Sequence, residues 1–175
     1  MKSACLLLSL LAAGGVAHAA DMQSEADHAK SIAEIKAVIA TFHDAVVDKQ
    51  KERFVDLFLN QHIPWLGVFD DRAWQKVRAQ QPKWGKAIPY ANDTYLSFID
   101  DVTGAKARIE EKMWNVDVST DGEIATMNCD YSYHVGDYKQ NWGKESWHLL
   151  HTEEGWKISS VIYSVTFNPE PRKPA

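Results

Sequence analysis

The strongest candidate for acid–base chemistry is Asp130, a carboxylate in the middle of a predicted strand. A general base at neutral pH needs a buried site and a raised pKa. Side chains alternate between the two faces of a strand, and this alternation puts Asp130 opposite the core-facing Met127 and Tyr131. We therefore expect Asp130 to be a solvated or interface acid, a prediction that a β-bulge would reverse.

The histidines do not form a metal-binding pattern. His148 and His151 are three residues apart on a predicted strand, so their side chains point to opposite faces. His28 and His43 are fifteen residues apart on a predicted helix. The sequence has no glycine-rich phosphate loop, nucleophile elbow or Cys-x-x-Cys motif. We therefore expect neither a metal nor a cofactor.

The chain has two cysteines, and Cys5 lies in a segment that we expect to be removed. Cys129 then has no partner for an intramolecular disulfide. Reactive cysteines occupy exposed, electropositive sites, whereas a small thiol on an alternating strand is typically buried. We predict that Cys129 is buried and unreactive.

The same alternation predicts the wall of a cavity. On the strand 124–135 the odd-numbered residues are apolar or aromatic, and we assign them to the interior. On the last strand we assign the even-numbered residues to the interior, and Tyr163, Val165 and Phe167 to an outer face that suits a homodimer. The predicted cavity binds a small apolar or aromatic molecule. Its predicted ligand-binding residues are Trp114, Met127, Tyr131, Tyr133, Trp147 and Ser164.

Tryptophan is abundant, with seven residues in the chain. For Trp114 and Trp147, which lie on predicted strands, core packing and ligand contact are equal alternatives. Trp84 and Trp142 lie in or near predicted loops. Large aromatic side chains in loops are typical of the mouth of a binding site, which is what we expect here.

The elements that must position these residues are helical in the first half of the chain. Residues 24–47 carry apolar side chains at three- and four-residue spacing, which predicts one long amphipathic helix. Shorter helices are predicted at 51–59, 70–80 and 95–101. A short apolar run at 63–69, broken by proline and glycine, predicts an edge strand or a strand-like turn.

From residue 107 onward the apolar period is two, which predicts strands. The four predicted strands are 107–118, 124–135, 140–152 and 156–167. Asp-Gly and Glu-Gly pairs between them are turn signals, so the strands form an antiparallel meander. Helices followed by a long curved sheet make an α+β fold. We expect the sheet to wrap the long N-terminal helix as a cone that is open at one end.

The N terminus has the pattern of a secretory signal peptide over residues 1–19. Lys2 precedes an apolar run that is shorter than the about 20 residues a membrane anchor needs. We expect cleavage, a periplasmic or secreted product and no membrane partner. A net charge of -5 argues against nucleic acid. One domain is expected over 20–168, followed by a Pro-rich disordered tail at 169–175.

Four motifs carry a family resemblance: the opening helix at 32–39, the hairpin at 121–125, the segment 145–149 and the strand start at 155–158. In this combination the chain resembles the nuclear transport factor 2-like superfamily, in its SnoaL-like bacterial branch, over roughly residues 28–167. The resemblance implies the cone-shaped, cystatin-like fold and frequent dimers. It implies no reaction, because this superfamily hosts isomerases, dehydratases, cyclases, ligand binders and adaptors on one scaffold.

The departures from the family decide the functional prediction. Ile162 stands where many SnoaL-like relatives carry a pocket-facing histidine. The residue sets of the ketosteroid isomerase-like and scytalone dehydratase-like branches cannot be placed on this chain. We therefore predict binding without turnover. One alternative is an isomerase, dehydratase or cyclase that uses general acid–base chemistry in the same pocket, which two titratable groups converging in the cone would favour. Another is a structural or adaptor subunit that binds protein through its sheet face.

Overall fold

The long N-terminal helix, α1, is the axis of the fold. The computed structural model describes residues 13–88 and 94–172, with side chains from residue 24 onward, and α1 covers Ala13–Val47. Ile35, Phe42 and Val46 are fully buried, which confirms the predicted apolar stripe. Within the described residues, no helix is both long and apolar enough to cross a membrane. Residues 1–12 lie outside the described part, so the signal peptide stays a prediction.

In the part of the chain that the structure describes, three short helices follow: α2 at Lys51–Val55, α3 at Asp71–Gln80 and α4 at Tyr95–Gly104. Helix α3 is capped by Asp70, whose side chain accepts a hydrogen bond from the Ala73 backbone N–H at 2.6 Å. Helix α2 is four residues shorter than the predicted 51–59. After Val55 the chain turns at 56–57, and Leu57 and Leu59 exchange backbone hydrogen bonds with Ile158 in an isolated β-bridge.

Within the described residues, five strands form one curved, unclosed sheet. They are β1 at Trp65–Phe69, β2 at Ile109–Thr120, β3 at Ile124–Val135, β4 at Tyr138–Thr152 and β5 at Gly155–Phe167. The order is β1-β5-β4-β3-β2, so the predicted antiparallel meander of β2 to β5 is confirmed. Strand β1 adds to β5 in parallel, an arrangement that the sequence analysis did not predict.

β-Bulges interrupt the sheet at three places and bend it. In β2 the residues Asn115 and Val116 lie opposite Cys129 alone, and Asn115 has a positive φ of 54°. In β5 the extra residue is Ser159, since His148 pairs with Ser160 and the next residue of β4 pairs with Ile158. Each bulge reverses the face on which the following side chains lie.

The bulge at Ser159 makes the predicted outer face of β5 wrong. Val161 and Val165 are buried in the interior, and the ring of Tyr163 packs against Trp65 with 5.9 Å between ring centroids. Ile162 is instead 50% exposed on the outside. The alternation predicted for β3 is confirmed, because its odd-numbered residues from 125 to 131 are all buried. The fold is α+β, as predicted.

Candidate functional site

A cavity of about 300 Å³ lies on the inner face of the sheet. Aromatic side chains from α4 and three strands dominate its lining: Trp65, Phe69, Phe98, Tyr131, Tyr133, Tyr163 and Phe167. Ile88 and Val165 add aliphatic surface. The remaining lining residues are polar: Glu111, Gln140, Asn141 and Glu145. The cavity is thus mainly apolar with a few polar groups, as small-molecule sites typically are.

Two carboxyl groups converge in this cavity. Glu111 projects from β2 and Glu145 from β4, and each residue is only 4% exposed. A side-chain hydrogen bond joins them, in which the Glu111 carboxyl donates to Glu145. A charged side chain is almost never fully buried unless it is paired. This pair is therefore the most unusual chemical feature of the interior.

Glu145 is held in place by a tryptophan. The Trp147 indole Nε1–H donates to Glu145 Oε2 at 2.8 Å. The Trp147 ring is fully buried and lies 4.9 Å from the ring of Phe42, between centroids. Its orientation is thus fixed by the core contributed by α1, which makes the hydrogen bond to Glu145 part of a rigid frame.

Gly143 allows β4 to approach β5 closely next to Glu145. A Cβ at this position would lie 1.9 Å from the carbonyl oxygen of Ser164 on β5. Tyr131 pairs with Gly143 across the sheet, and its hydroxyl donates to the same Ser164 carbonyl at 2.9 Å. A side chain at position 143 would therefore separate β4 from β5 two residues from Glu145.

Burial raises the pKa of both carboxyl groups, because a low-dielectric site disfavours any charge. The negative charge of Glu145 raises the pKa of Glu111 further, whereas hydrogen bonds from Trp147 and Glu111 oppose the increase at Glu145. Folding therefore favours protonation of the pair, and more strongly at Glu111 than at Glu145. Glu111 Oε1 is buried, and no described residue donates a hydrogen bond to it.

The neighbouring titratable groups are also kept neutral. Burial and the charge of Glu111 raise the pKa of Tyr133 to about 12, and Tyr133 is the cross-strand neighbour of Glu111. Burial and the charges of Glu145 and Glu111 raise the pKa of the Cys129 thiol. Cys129 is buried, as predicted, and does not line the cavity.

The structure brings together only part of the predicted ligand-binding set. Tyr131 and Tyr133 line the cavity. Met127 and Trp147 are fully buried in the closed core below it. They do not line the cavity, although Trp147 contacts it through Glu145.

Trp114 and Ser164 do not lie in the cavity, contrary to prediction. Trp114 precedes the bulge at Asn115, on the face opposite Glu111, and is 45% exposed. The bulge at Ser159 turns Ser164 to the outer face, where it lines a separate groove. The bulge at Ser159 has no glycine or proline signal in the sequence, so simple alternation assigned Ser164 to the wrong face. Trp114 precedes its bulge, and alternation from Ile109 and Met113 places it outside, as observed.

The tryptophans expected at a binding mouth have structural contacts instead. Trp84 packs on the small cluster formed by Phe69, Ala73 and Val77 beside α3. Trp142 lies on β4 beneath the Lys139 ammonium, which is 4.2 Å from its ring centroid. Neither residue lines the cavity.

The other candidates for chemistry lie outside the cavity. Asp130 is on the outer face, as alternation predicts, and hydrogen bonds from Lys144 and Asn115 lower its pKa. In the described part of the chain, no three His, Cys, Asp or Glu side chains are grouped so that they could hold a metal ion.

Sequence reasoning missed Glu111 and Glu145 as functional residues. Glu111 lies between Glu110 and Lys112, and a run of charges usually marks a solvated face. A usable signal existed, because Glu111 shares its face with the apolar Ile109 and Met113. Glu145 likewise lies on the same face of its strand as Trp147, but we considered Glu145 only as part of a family motif.

Comparison with known proteins gives a likeness in structure only. No protein-family model matches the chain, and no curated protein matches it. A solved protein from Streptomyces avermitilis, titled a "putative dehydratase from the NTF2-like family", has a TM-score of 0.55 at 14% identity, over 79% of this chain and 98% of that one. An NTF2-like protein with a cystatin-like fold from Novosphingobium aromaticivorans has a TM-score of 0.55 at 13% identity, over 83% and 88%.

A third similar structure is an NTF2-like protein of unknown function from Pseudomonas putida, with a TM-score of 0.55 at 12% identity. It is matched over 82% of this chain and 92% of that one. Identities this low establish the fold and not a reaction. The fold is independently visible here in the long helix and the bent five-stranded sheet. The chain therefore has the nuclear transport factor 2-like, cystatin-like fold that its motifs predict.

Proposed function

We propose that this protein is a cofactor-independent enzyme that transfers protons on a small, mostly apolar or aromatic molecule in the cone cavity. The reaction class is isomerisation or dehydration by general acid–base catalysis. The observation that carries the proposal is the Glu111–Glu145 pair in an aromatic cavity. When two neighbouring carboxyl groups share a proton, one can act as an acid while the other acts as a base at the same pH.

In an isomerisation, the ionised Glu145 carboxylate takes a proton from a carbon next to a carbonyl group. The electron pair moves onto the carbonyl oxygen, and the Glu111 carboxyl and the Tyr133 hydroxyl donate hydrogen bonds to that oxygen. Such donors stabilise the developing negative charge. Glu145 then returns the proton to a different carbon, which completes the reaction and restores the carboxylate.

In a dehydration, the same carboxylate takes the proton from carbon while Glu111 gives its proton to the leaving hydroxyl. The hydroxyl departs as water and a carbon–carbon double bond forms. The pair ends with its proton on Glu145 instead of Glu111, and its net charge is unchanged. Proton transfer through the hydrogen bond between the two groups restores the starting state.

The test measures proton abstraction from a carbon acid rather than an unidentified natural substrate. The probe is 2-tetralone, an aromatic ketone, and NMR follows exchange of its α-protons with D₂O. We expect the wild type to accelerate exchange, and Glu145→Gln to reduce the acceleration by about 10²-fold or more, since a positioned base contributes that much. Asp130→Asn is the matched control on the outer face and should leave the rate unchanged. A wild-type rate equal to that of Glu145→Gln would refute the proposal.

Binding without turnover is the second candidate, and the aromatic lining favours it. The Tyr131 hydroxyl already donates a hydrogen bond to the Ser164 carbonyl. Tyr131 therefore contributes apolar ring surface to the cavity rather than a proton. This candidate predicts that 2-tetralone changes the tryptophan fluorescence but that its protons exchange at the background rate. In that case Glu145→Gln would alter the affinity and leave the exchange rate unchanged.

The third candidate function, binding of protein through the sheet face, is favoured by the outer surface. Leu66 and Ile162 are neighbours across β1 and β5, and Val68 is exposed beside them. Exposed apolar patches typically mark protein contacts. A homodimer through this face is our proposal, and sedimentation of Ile162→Asp against wild type checks it, since the charge should shift the protein towards the monomer.

We place this activity in the periplasm or outside the cell. The support is the pattern of residues 1–19, with its charged start, short apolar run and Ala-His-Ala site. Intact-mass measurement of the exported protein should give a chain that begins at or next to residue 20. A product that keeps Met1 in the membrane fraction would contradict this assignment.

A further inference from the structure

We infer that the cone cavity selects an organic cation, a molecule with a substituted ammonium group, which binds against the Glu111–Glu145 pair. The inference rests on the proposed function, because it names the class of molecule that the same cavity receives. Three features of the cavity support it: its charge, its aromatic walls and a carboxyl oxygen to which no described residue donates a hydrogen bond.

The cavity contains acids and no bases. Among the described residues that line it there is no lysine, arginine or histidine. Lys144 is adjacent to Glu145 in sequence, but its side chain lies on the other face of the sheet and pairs with Asp130. Buried charges in proteins are normally compensated by a partner of opposite sign. The protein thus leaves this role to the shared proton or to a ligand.

The walls suit a cation better than a neutral molecule. Seven aromatic side chains line the cavity, and Trp65 of β1 packs against both Phe98 of α4 and Tyr163 of β5. Their ring faces carry negative charge density. A cation within about 6 Å of such faces is attracted, most strongly where water is excluded. Aromatic rings alone would also accept an apolar ligand, but rings combined with paired acids favour a positive charge.

The carboxyl pair lacks a positive partner. Glu111 Oε1 is buried, and no described residue donates a hydrogen bond to it. A buried carboxylate without a donor or an opposite charge costs free energy. A substituted ammonium group beside the pair would lower this cost through its positive charge, which it carries with or without an N–H group.

Binding of a cation should release a proton. The titratable groups that face the pair are Cys129 and Tyr133 on β3 and Tyr163 on β5, which are a thiol and phenols, not bases. A positive ligand stabilises the doubly ionised pair, so a proton bound by the pair leaves to solvent. One carboxylate then holds the cation while the other acts as the base. For such a substrate Tyr133 is the remaining hydrogen-bond donor, which favours the isomerisation over the dehydration.

The experiment uses three probes of the same shape and different charge: choline, 3,3-dimethyl-1-butanol and 3,3-dimethylbutanoate. Calorimetric titration of the wild type at pH 7 should give at least about tenfold tighter binding of choline than of the alcohol. The carboxylate should not bind measurably. The choline enthalpy should change between phosphate and Tris buffers by the amount that one released proton contributes, and the affinity should rise with pH.

Glu111→Gln and Glu145→Gln should each lose both the preference for choline and the proton release. Asp130→Asn removes an acid from the outer face and should retain both. If a cavity variant fails to fold, the three-probe comparison and the two-buffer comparison on the wild type still decide the matter. Equal binding of choline and the alcohol, tighter binding of the carboxylate, or choline binding without proton release would each overturn the inference.

The proposed function can fail separately. A wild type that exchanges the protons of 2-tetralone but does not prefer choline refutes the cation and keeps the acid–base enzyme. A wild type that binds choline with proton release but exchanges no carbon-bound proton keeps the cation and refutes the enzyme.

Discussion

Folding shifts the pKa values of two acids on adjacent strands in opposite directions. Asp130 on β3 lies on the outer face, where Lys144 and Asn115 donate hydrogen bonds and lower its pKa. Glu145 on β4 lies on the inner face, where burial raises its pKa. Lys144 and Glu145 are consecutive in sequence. Lys144 forms an ion pair with Asp130 on the outer face, whereas Glu145 is buried on the inner face with no cation beside it among the described lining residues. In this sheet, the pKa of a carboxyl group depends more on which face of the sheet it occupies than on its neighbours in sequence.

The comparison extends to the two tryptophans expected in the cavity. Trp147→Ala should lower the free energy of unfolding by about 3–5 kcal/mol, because it empties a fully buried site beside Phe42. Trp114→Ala on the outer face should change it by less than about 0.5 kcal/mol. Urea unfolding of both variants measures the difference. Equal effects would show that the inner and outer faces are wrongly assigned.

Cysteine reactivity distinguishes the same two faces. Cys129→Ser should lower the free energy of unfolding by about 1–3 kcal/mol, since it buries a hydroxyl without an assured partner. A thiol reagent should label native wild type slowly, because the thiol is buried and its raised pKa keeps it protonated. Ser146→Cys, on the outer face, supplies the comparison and should add a rapidly labelled site. Rapid labelling of the wild type would contradict the inner assignment of Cys129.

The pH dependence of stability should have opposite signs for the two acids. Folding raises the pKa values of Glu111 and Glu145. The contribution of the pair to the free energy of unfolding is therefore fully present below the ordinary glutamate pKa, and it is lost as the pH rises through the pKa values of the folded state. Glu145→Gln should therefore raise stability at pH 8 by about 1–2 kcal/mol and flatten the decline between pH 5 and 8.

Asp130 supplies the matched contrast. Its pKa is lowered by folding, so its contribution is present above the ordinary aspartate pKa and is lost as pH falls through the folded value. Asp130→Asn should leave the decline of stability between pH 5 and 8 unchanged. It should change stability only at acidic pH, near the pKa of Asp130. Thermal unfolding across this pH range measures both variants, and identical profiles would contradict the comparison.

The architecture was predictable because periodicity and turn residues report backbone geometry directly. The spacing of Ile35, Phe42 and Val46 defines the core stripe of α1, and Gly122 marks the β2–β3 turn with a positive φ of 100°. The parallel pairing of β1 with β5 was not predictable in this way. It joins residues about a hundred positions apart, such as Trp65 and Val161, and no local turn signals it.

The site was harder to predict because it depends on irregularities. The bulge at Ser159 reverses the face of the following β5 residues, which places Ser164 outside the predicted cavity. Glutamate in a strand is typically a solvent-facing residue, so Glu111 and Glu145 were passed over. Their burial depends on long-range packing, including the hydrogen bond from Trp147, rather than on nearby residues.

The most direct test of the account is a pH titration of the glutamate side chains by NMR, with the carboxyl carbons labelled. We predict that two carboxyl signals titrate well above the ordinary range of about 4–5, as a coupled pair. Glu145→Gln should retain at most one of these two elevated titrations, and Asp130→Asn should retain both. If every glutamate in the wild type titrated within the ordinary range, the shared proton in the cavity would be contradicted.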